Sequence, residues 1–299
     1  MPVRMILKAL YEINPSAYQL FDRARQKVRP RFESAAQKHR RERQSADYLL
    51  LSLTNCGRTW LRIILGRSLQ LHCLANTRQS GQGQSPIDMA AANSKDVNLH
   101  DLFRFSEAHP FLPAIKPMHE KYGQFGNRYD GQKVILLVRD PRDALVSRYH
   151  QHRETLPFEN LESYVKSGPD LSAYIQFYND WQTHRESAKD FLLVRYEDMK
   201  TDVHKEVRRV FNFLEVSVTA DEVQQAIDYA SFKNMRKMEL EGSQQVRTGV
   251  LSSRDVNRPD SFKVRKGAIG GYRAELSAEA IAFVDQAIKT QLHPVYGYQ

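Results

Sequence analysis

The sequence predicts an α/β fold in which a central parallel sheet is covered by helices on both faces. Three short apolar runs support this prediction, at residues 48–53, 134–138 and 191–194, and each is followed by a segment with helical character. A short uninterrupted apolar run is typical of a strand that is buried on both faces. Strands that alternate with helices are typical of parallel sheets. The 299 residues are enough for one large domain of this kind or two small ones.

The first strand is predicted to lead into a helix that begins at Arg58. Residues 54–57 break the apolar run, and helical spacing then follows at Trp60, Ile63, Ile64 and Arg67. A helix N-terminus attracts anions, and Gly57 lets the backbone approach a ligand closely. The loop lacks the spacing of a Walker A motif. An anion site and a plain structural turn therefore both stay open at this point.

Capping residues predict where two later helices begin. Asp140 is a good N-cap and Pro141 suits a first turn, so a helix is predicted from there through about Arg153. Another is predicted after the third strand, through about Leu214. Ser277 is predicted to cap the last helix, with one apolar face formed by Ile281, Val284, Ala287 and Ile288. The polar residues 75–108 are predicted to form an irregular excursion.

Most of the net charge of +9 lies at the N-terminus. Residues 1–45 contain eleven Lys and Arg against four Asp and Glu, which accounts for seven of the nine positive charges. We therefore divide the chain into a basic N-terminal helical segment, residues 1–45, and a nearly neutral domain, residues 46–299. The segment is interpreted either as a solvated helix packed on the domain or as a contact for an anionic membrane surface. No nucleic-acid partner is expected, because no recognition motif accompanies the basic residues.

The composition excludes several classes of protein. The two cysteines, Cys56 and Cys73, are too few for a disulfide scaffold or a cysteine zinc site, and no metal site is predicted. They indicate a reducing compartment. No apolar run approaches the roughly 18 residues of a membrane span, and no signal peptide is predicted. We expect a cytoplasmic protein, with peripheral association at the inner membrane face left open by the basic segment.

Two further segments are candidates for anion binding, and the first of them lies at the carboxyl end of a predicted strand. Arg139 follows the second strand, and Ser147 lies two turns into the next helix, so the two share a ligand only if it lies alongside that helix. The alternative for Arg139 is an ion pair with Asp140, Asp143 or Glu197. Residues 264–271 combine two cations with glycines, which indicates either a phosphate-binding loop or a basic surface turn.

Five segments resemble, in order, the motifs of the sulfotransferases that use 3′-phosphoadenosine 5′-phosphosulfate (PAPS). They lie at residues 53–62, 138–147, 195–199, 231–235 and 265–267. The first resembles the 5′-phosphosulfate loop, the second and fifth the 3′-phosphate motifs, the third the tyrosine-bearing segment and the fourth the adenine loop. The resemblance covers roughly residues 48–298. It implies a P-loop-like parallel sheet, PAPS as the co-substrate and 3′-phosphoadenosine 5′-phosphate (PAP) as the product.

The resemblance also implies roles for individual residues. The 5′-phosphosulfate would be held by Cys56, Gly57, Arg58 and Thr59. The 3′-phosphate would be held by Arg139, Ser147, Arg265, Lys266 and the amide of Gly267. The adenosine would be enclosed by Trp60, Tyr196, Ser231, Phe232 and Met235, although Trp60 has core packing as an alternative role.

The catalytic base of the family is a histidine that follows a strand between the two phosphate motifs. His119 stands at that position in this chain and would take the proton of the acceptor hydroxyl. Where the family usually has a lysine, this chain has Asn55, which can donate a hydrogen bond but supplies no charge. Three outcomes stay open: Arg58 or another cation replaces the lysine, the enzyme is slow, or the chain binds the donor without catalysis.

The sequence therefore predicts in-line sulfuryl transfer from PAPS to a hydroxyl of a carbohydrate, glycolipid or small molecule. The alternatives are a non-catalytic PAP- or PAPS-binding protein and an ATP-dependent phosphoryl transferase. The latter would need a phosphate-binding lysine, which the first loop lacks. Residues 75–118 and 154–180 are expected to shape the acceptor pocket. The basic N-terminus favours a lipid or polysaccharide acceptor made at a membrane.

Overall fold

Four parallel strands form the central sheet of the computed structural model, which describes residues 13–14, 34–79, 101–124, 129–245, 251 and 257–299. The strands are β1 Tyr48–Leu51, β2 Ile115–Met118, β3 Tyr129–Val138 and β4 Ala188–Arg195. Their order across the sheet is β2-β1-β3-β4, and every neighbouring pair is parallel. The predicted α/β class is confirmed, and the three apolar runs are β1, β3 and β4.

Helices cover both faces of this sheet. In the described part of the chain the α-helices are α1 Ala35–Gln44, α2 Arg58–Gln79, α3 Leu102–Ala108, α4 Pro141–His152, α5 Leu161–Ser167, α6 Asp170–Thr183, α7 Tyr196–Thr201, α8 Val203–Leu214, α9 Ala220–Tyr229, α10 Phe232–Gln245 and α11 Ala278–Gln291. Short 3₁₀ turns lie at Arg185–Ser187, Pro259–Ser261, Gly271–Ala274 and Pro294–Tyr296.

The core consists of two apolar layers, one on each face of the sheet. Successive residues of a strand point to opposite faces, so Leu49 and Leu51 pack with α4, α6 and α11 in one layer. Leu50 packs with α2, α8 and α9 in the other. All three leucines are completely buried, and each contributes roughly 1.5–3 kcal/mol relative to an exposed position. Burial on both faces explains why β1 and the end of β3 read as continuous apolar runs, whereas the edge strand β4 is only partly buried.

The capping predictions for α4 and α11 are confirmed. The Asp140 carboxylate accepts from the amide of Arg142 at 2.9 Å, and Pro141 occupies the first turn. The Ser277 hydroxyl accepts from the amide of Ala280 at 3.1 Å. Both helices thereby satisfy a backbone donor that the helix leaves unpaired.

Two secondary-structure predictions are wrong. The irregular excursion predicted at residues 75–108 contains the end of α2 and the whole of α3, which Asp101 caps by accepting from the amide of Arg104. Residues 80–100 of that excursion lie outside the described residues. The single helix predicted through Leu214 is divided into α7 and α8, because Asp202 ends one and caps the next by accepting from the amide of Lys205.

The end of the basic N-terminal segment packs on the domain. The Arg43 guanidinium in α1 donates to both carboxylate oxygens of Glu120 at 2.7 Å, and both side chains are buried. Most of residues 1–45 lies outside the described residues, so the membrane interpretation and the division at residue 45 stay predictions. In the described ranges, none of the helices combines the length and the apolar character needed to span a bilayer.

Candidate active site

A cavity of about 650 Å³ lies where the four strands end. It is lined by segments that follow β1, β2, β3 and β4, which is where ligands bind in parallel sheets. All of the predicted site residues except one contribute to its lining, namely Asn55, Gly57, Arg58, Thr59, Trp60, His119, Arg139, Ser147, Tyr196, Ser231, Phe232, Met235, Arg265, Lys266 and Gly267. The fold therefore brings together motifs that are more than 200 residues apart in the sequence, such as residues 53–62 and 265–267.

Cys56 is the exception. Its side chain is buried in the core, with Sγ 3.4 Å from the hydroxyl of Tyr178. Burial raises the pKa of this thiol to about 11, so it stays protonated and unreactive. Any contact of Cys56 with a ligand would have to come from its backbone.

The loop after β1 needs an unusual backbone at two positions. Gly57 has φ +90°, and a Cβ there would lie 2.5 Å from the ring of Tyr196. Asn55 has φ +61°, a left-handed conformation that Asn tolerates better than most residues. Its amide nitrogen donates to Ser147 at 3.2 Å and to Gln151 at 2.9 Å. Asn55 therefore ties the loop to α4.

His119 immediately follows β2, and its ring is held in one tautomer. Nδ1 lies 2.6 Å from the carbonyl oxygen of Ser52, which can only accept, so Nδ1 carries the proton. Nε2 then has a free electron pair and accepts a hydrogen bond from the Arg58 guanidinium at 2.5 Å. Burial and the charge of Arg58 lower the pKa of His119 to about 4, against the contribution of the Ser52 carbonyl. The imidazole is therefore neutral at pH 7 and can act as a base.

Arg58 is the cation at the N-terminus of α2. Burial, followed by the charge of Arg62 one turn further along, lowers its pKa to about 9. Its Nη1 is buried and has no hydrogen-bond partner among the described residues. A buried guanidinium without a carboxylate partner is costly, and an anion in the cavity would remove that cost.

Arg139 binds carbonyl groups instead of forming the ion pair considered as its alternative. Nη1 donates to the carbonyl of Asn55 at 3.1 Å and Nη2 to that of Ala268 at 3.2 Å. The guanidinium lies 4.4 Å from the centre of the Tyr196 ring. Its Nε is buried without a partner in the described part of the chain. The three carboxylates hydrogen-bond elsewhere: Asp140 to Arg142, Asp143 to the amides of Gly270 and Tyr272, and Glu197 to the amide of Asp140 and the hydroxyl of Tyr298.

The basic loop at residues 264–271 is engaged by an acid that the sequence did not reveal. Arg265 and Lys266 both donate to the carboxylate of Glu275, at 2.9 Å and 2.8 Å. His150 lies 2.5 Å from the same carboxylate. Burial opposes ionisation, but the hydrogen bonds of Arg265 and Lys266 prevail and lower the pKa of Glu275 to about 2. No local pattern marks Glu275, because its partners come from other elements.

Aromatic and apolar side chains also line the cavity. Trp60 contacts Tyr196 edge to face at 5.9 Å, and it also packs against the core. Phe232 is 48% exposed, whereas Met235 is buried. An exposed aromatic ring in a cavity offers a stacking surface for a planar base. Ser231 lies beside them and accepts from the amide of Asn234.

Comparison with known proteins supports the resemblance seen in the motifs. Residues 45–295 match the family described as "Sulfotransferase domain". "Cytosolic sulfotransferase 13" of Arabidopsis thaliana is 26% identical over 281 residues, which cover 86% of this chain and 80% of that protein. "Sulfotransferase 2A6" of Rattus norvegicus is 24% identical over 249 residues, which cover 79% of this chain and 81% of that protein.

Solved structures share the fold. Mouse sulfotransferase SULT7A1 complexed with PAP has a TM-score of 0.56 and 21% identity, covering 82% of this chain and 84% of that one. Retinol dehydratase in complex with retinol and PAP has a TM-score of 0.55 and 18% identity, covering 82% and 80%. The P-loop-like fold expected from the sequence is confirmed. Since the family match spans most of the chain and includes every motif of the cavity, the protein belongs to the sulfotransferase family.

Proposed function

We propose that this chain transfers the sulfuryl group of PAPS to an acceptor hydroxyl, with His119 as the general base. Family membership supports sulfuryl transfer in general terms. The observation that carries the finer proposal is the position of His119, whose unprotonated Nε2 meets Arg58 inside the cavity. Sulfuryl transfer to a hydroxyl requires a base and a cation close together, because the hydroxyl must lose its proton and the negative charge on the leaving phosphate must be stabilised.

The residues of the cavity fit the donor. PAPS has anionic groups at the 3′ and 5′ positions of its ribose and a planar adenine base, and the cavity is lined by several cations and by the aromatic side chains of Trp60, Tyr196 and Phe232. Four arginines of the cavity have a buried guanidinium nitrogen without a partner among the described residues, and three of these nitrogens are assigned to the donor: Nη1 of Arg58, Nε of Arg139 and Nε of Arg265. When bound, the donor supplies the activated sulfuryl group.

At the 3′-phosphate end, the phosphate would meet a loop that is already paired. Both terminal nitrogens of Arg265 are bonded to Glu275, whereas Nε is unpartnered in the described chain. Glu275 therefore orients Arg265 so that Nε of the guanidinium is available to a phosphate. Glu275 also competes with that phosphate for Lys266. Arg139 and Ser147 complete this end from β3 and α4.

In the proposed reaction the acceptor oxygen forms a bond to sulfur as its proton passes to Nε2 of His119. The bond between sulfur and the bridging oxygen breaks, and PAP leaves with the electron pair. The Ser52 carbonyl then stabilises the imidazolium through Nδ1. The Arg58 guanidinium must move away from Nε2 before the proton can reach this nitrogen. An anion at the N-terminus of α2 would attract the guanidinium and so release Nε2. We propose that Arg58 thereby supplies the positive charge that the lysine provides elsewhere in the family.

One observation favours a second candidate, a PAP- or PAPS-binding protein without catalysis. Both donor positions of the Asn55 amide are directed at Ser147 and Gln151, so Asn55 is not poised to assist a leaving group. In that case the protein would bind PAP or PAPS but would not convert PAPS to PAP.

The test is release of PAP from PAPS in the presence of a panel of phenols, sterols and sugars. His119→Ala should lower turnover by roughly 10²–10⁴-fold and keep the PAP affinity of the wild type. The control is His109→Ala, because His109 stacks on Phe105 and does not line the cavity. Normal turnover by His119→Ala would show that another group is the base. Tight PAP binding without turnover, restored by Asn55→Lys, would support the second candidate.

We propose a cytoplasmic location, because relatives such as the Arabidopsis protein are named cytosolic sulfotransferases. Contact of the basic segment with an anionic membrane is a further part of this proposal, which would place a lipid or polysaccharide acceptor nearby. Deletion of residues 1–33 leaves α1 and its buried Arg43 in place. Loss of flotation with phosphatidylserine vesicles on this deletion would support the contact, and flotation of neither form would exclude it.

A further inference from the structure

Two arginines of α2 line the cavity from the same face of the helix. Arg58 and Arg62 are four residues apart, so their side chains are neighbours one turn from each other. Nε of Arg62, like Nη1 of Arg58, is buried and unpartnered within the described residues. Lys263 lines the same cavity. His119 is thus surrounded by more positively charged side chains than binding of the leaving phosphate would require.

Arg62 lies one turn further into α2 than Arg58, and it lines the cavity near His119. Burial lowers its pKa to about 10, and the group that opposes this shift is Asp101, the N-cap of α3. Asp101 belongs to the segment between α2 and β2, which is the region expected to shape the acceptor pocket. Arg62 is also close enough to His119 for its charge to lower the pKa of the imidazole. Arg62 is therefore close both to the base and to the N-cap of a helix in the segment expected to shape the acceptor pocket.

A cation in this place is costly to the empty protein. An arginine that is largely removed from water and has an unsatisfied Nε loses hydration without full compensation. A bound oxyanion would restore the missing hydrogen bond and neutralise the charge. Arg58 already has a role at the leaving phosphate, so the oxyanion that suits Arg62 is not part of the donor.

We propose that the acceptor is a hydroxyl compound that carries an oxyanion, a carboxylate or a phosphate, and that Arg62 binds this oxyanion beside His119. The inference rests on the proposed function, since it names the acceptor class of the same site. Lys263 adds positive potential to the same region. The oxyanion would position the hydroxyl near Nε2 and favour the imidazolium that forms during transfer.

The test measures binding of matched acid and amide probes to protein saturated with PAP. The probes are 4-hydroxybenzoate, 4-hydroxyphenylacetate and their amides, with 4-hydroxyphenyl phosphate to separate a phosphate preference from a carboxylate preference. Titration calorimetry on the wild type should give about tenfold or more tighter binding for at least one acidic probe than for its neutral counterpart. For the phosphate, the neutral counterpart is hydroquinone.

Arg62→Gln should reduce this preference to less than about threefold while PAP still binds as in the wild type. Arg62→Lys should keep part of it, because the charge remains. The control Arg67→Gln should keep all of it, since Arg67 lies on the same helix, bonds to Gln70 and does not line the cavity. Thermal unfolding of each variant checks that it is folded.

The proposal is overturned if PAP-saturated wild type binds no acidic probe more tightly than its neutral counterpart, or if the preference survives Arg62→Gln. Either result leaves the proposed function intact, because PAP binding is measured in the same samples. Failure of the wild type to bind PAP overturns the proposed function, and the inference with it.

Discussion

The Arg58 guanidinium donates to Nε2 of His119 across 2.5 Å, so the cation and the base of the cavity occupy each other in the ligand-free protein. Nε2 cannot accept a proton while it accepts from Arg58. Donor binding would draw Arg58 toward the phosphate and free Nε2 in one movement. This pairing makes the base dependent on the donor.

The pKa of His119 should rise when PAP binds. In the ligand-free protein it is about 4, below the usual 6.5, because burial and Arg58 disfavour the imidazolium. Movement of the Arg58 guanidinium away from Nε2 and the arrival of the anionic PAP both favour the imidazolium, so the pKa of His119 should rise. NMR titration of the His119 ring would measure it, with Arg58→Gln as the matched variant that should raise the pKa without PAP. An unchanged pKa in both cases would contradict the pairing.

Asn55→Lys should add little to the rate if Arg58 supplies the charge. Loss of one such donor costs roughly 10²–10³ in rate, so a comparable gain is expected only where the charge is missing. The variant should also lose about 1–2 kcal/mol of unfolding free energy, because Lys is less suited to φ +61° and the bonds to Ser147 and Gln151 disappear. Turnover and urea unfolding measure the two effects. A rate gain above about tenfold would show that Arg58 does not replace the lysine.

Much of the fold could be predicted from local sequence, and the missing parts share a physical cause. Apolar runs gave the three strands β1, β3 and β4, and Asp140 and Ser277 gave two helix starts. Capping and strand burial depend on neighbouring residues, so they leave a local pattern. The start of α3 at Asp101 had such a signal, in its N-cap, but the surrounding polar residues concealed it.

The site was predicted less completely, because its pairings join distant segments. The phosphate loops follow strands and could be recognised from their motifs. The ion pairs between Glu275 and Arg265 and between Arg43 and Glu120 could not be predicted, because their partners lie in different elements and no sequence spacing relates them. Nothing in the local sequence distinguishes Arg62 from other polar residues of a helix, and its place in the cavity lining is seen only in the structure.

The buried pair of Arg43 and Glu120 should be important for stability and for the position of His119. Glu120 is the next residue after His119, and it also accepts from the hydroxyl of Tyr129. Arg43→Ala leaves the carboxylate buried without its partner, which costs about 3–5 kcal/mol. Chemical denaturation measures the loss.

The control for this pair is Arg41→Ala in the same helix. Arg41 is 3.9 Å from Glu107 at the surface, so its removal should cost less than about 1 kcal/mol. Equal losses for the two variants would mean that α1 is held by general packing and that the buried pair is not decisive.

Gly57→Ala should damage donor binding, and Gly131→Ala provides the comparison. Both glycines have positive φ, +90° and +76°, so both variants bear the conformational cost of about 1–2 kcal/mol. A Cβ at Gly57 would also lie 2.5 Å from the Tyr196 ring, whereas a Cβ at Gly131 meets nothing within 4 Å. PAP affinity should therefore fall in Gly57→Ala and stay unchanged in Gly131→Ala. Unchanged affinity in both would show that the loop tolerates the displacement of Tyr196.

The donor site and the role of Arg58 are both tested by calorimetric titration of the wild type and of Arg58→Gln with PAP, with ATP and AMP as controls. We expect the wild type to bind PAP selectively, because the cavity is lined both by cations and by aromatic side chains such as the exposed Phe232. Arg58→Gln should weaken PAP binding by about tenfold, the effect of one charge-assisted hydrogen bond. Binding of PAP no tighter than AMP would contradict the donor site, and full PAP affinity in Arg58→Gln would contradict the role given to Arg58.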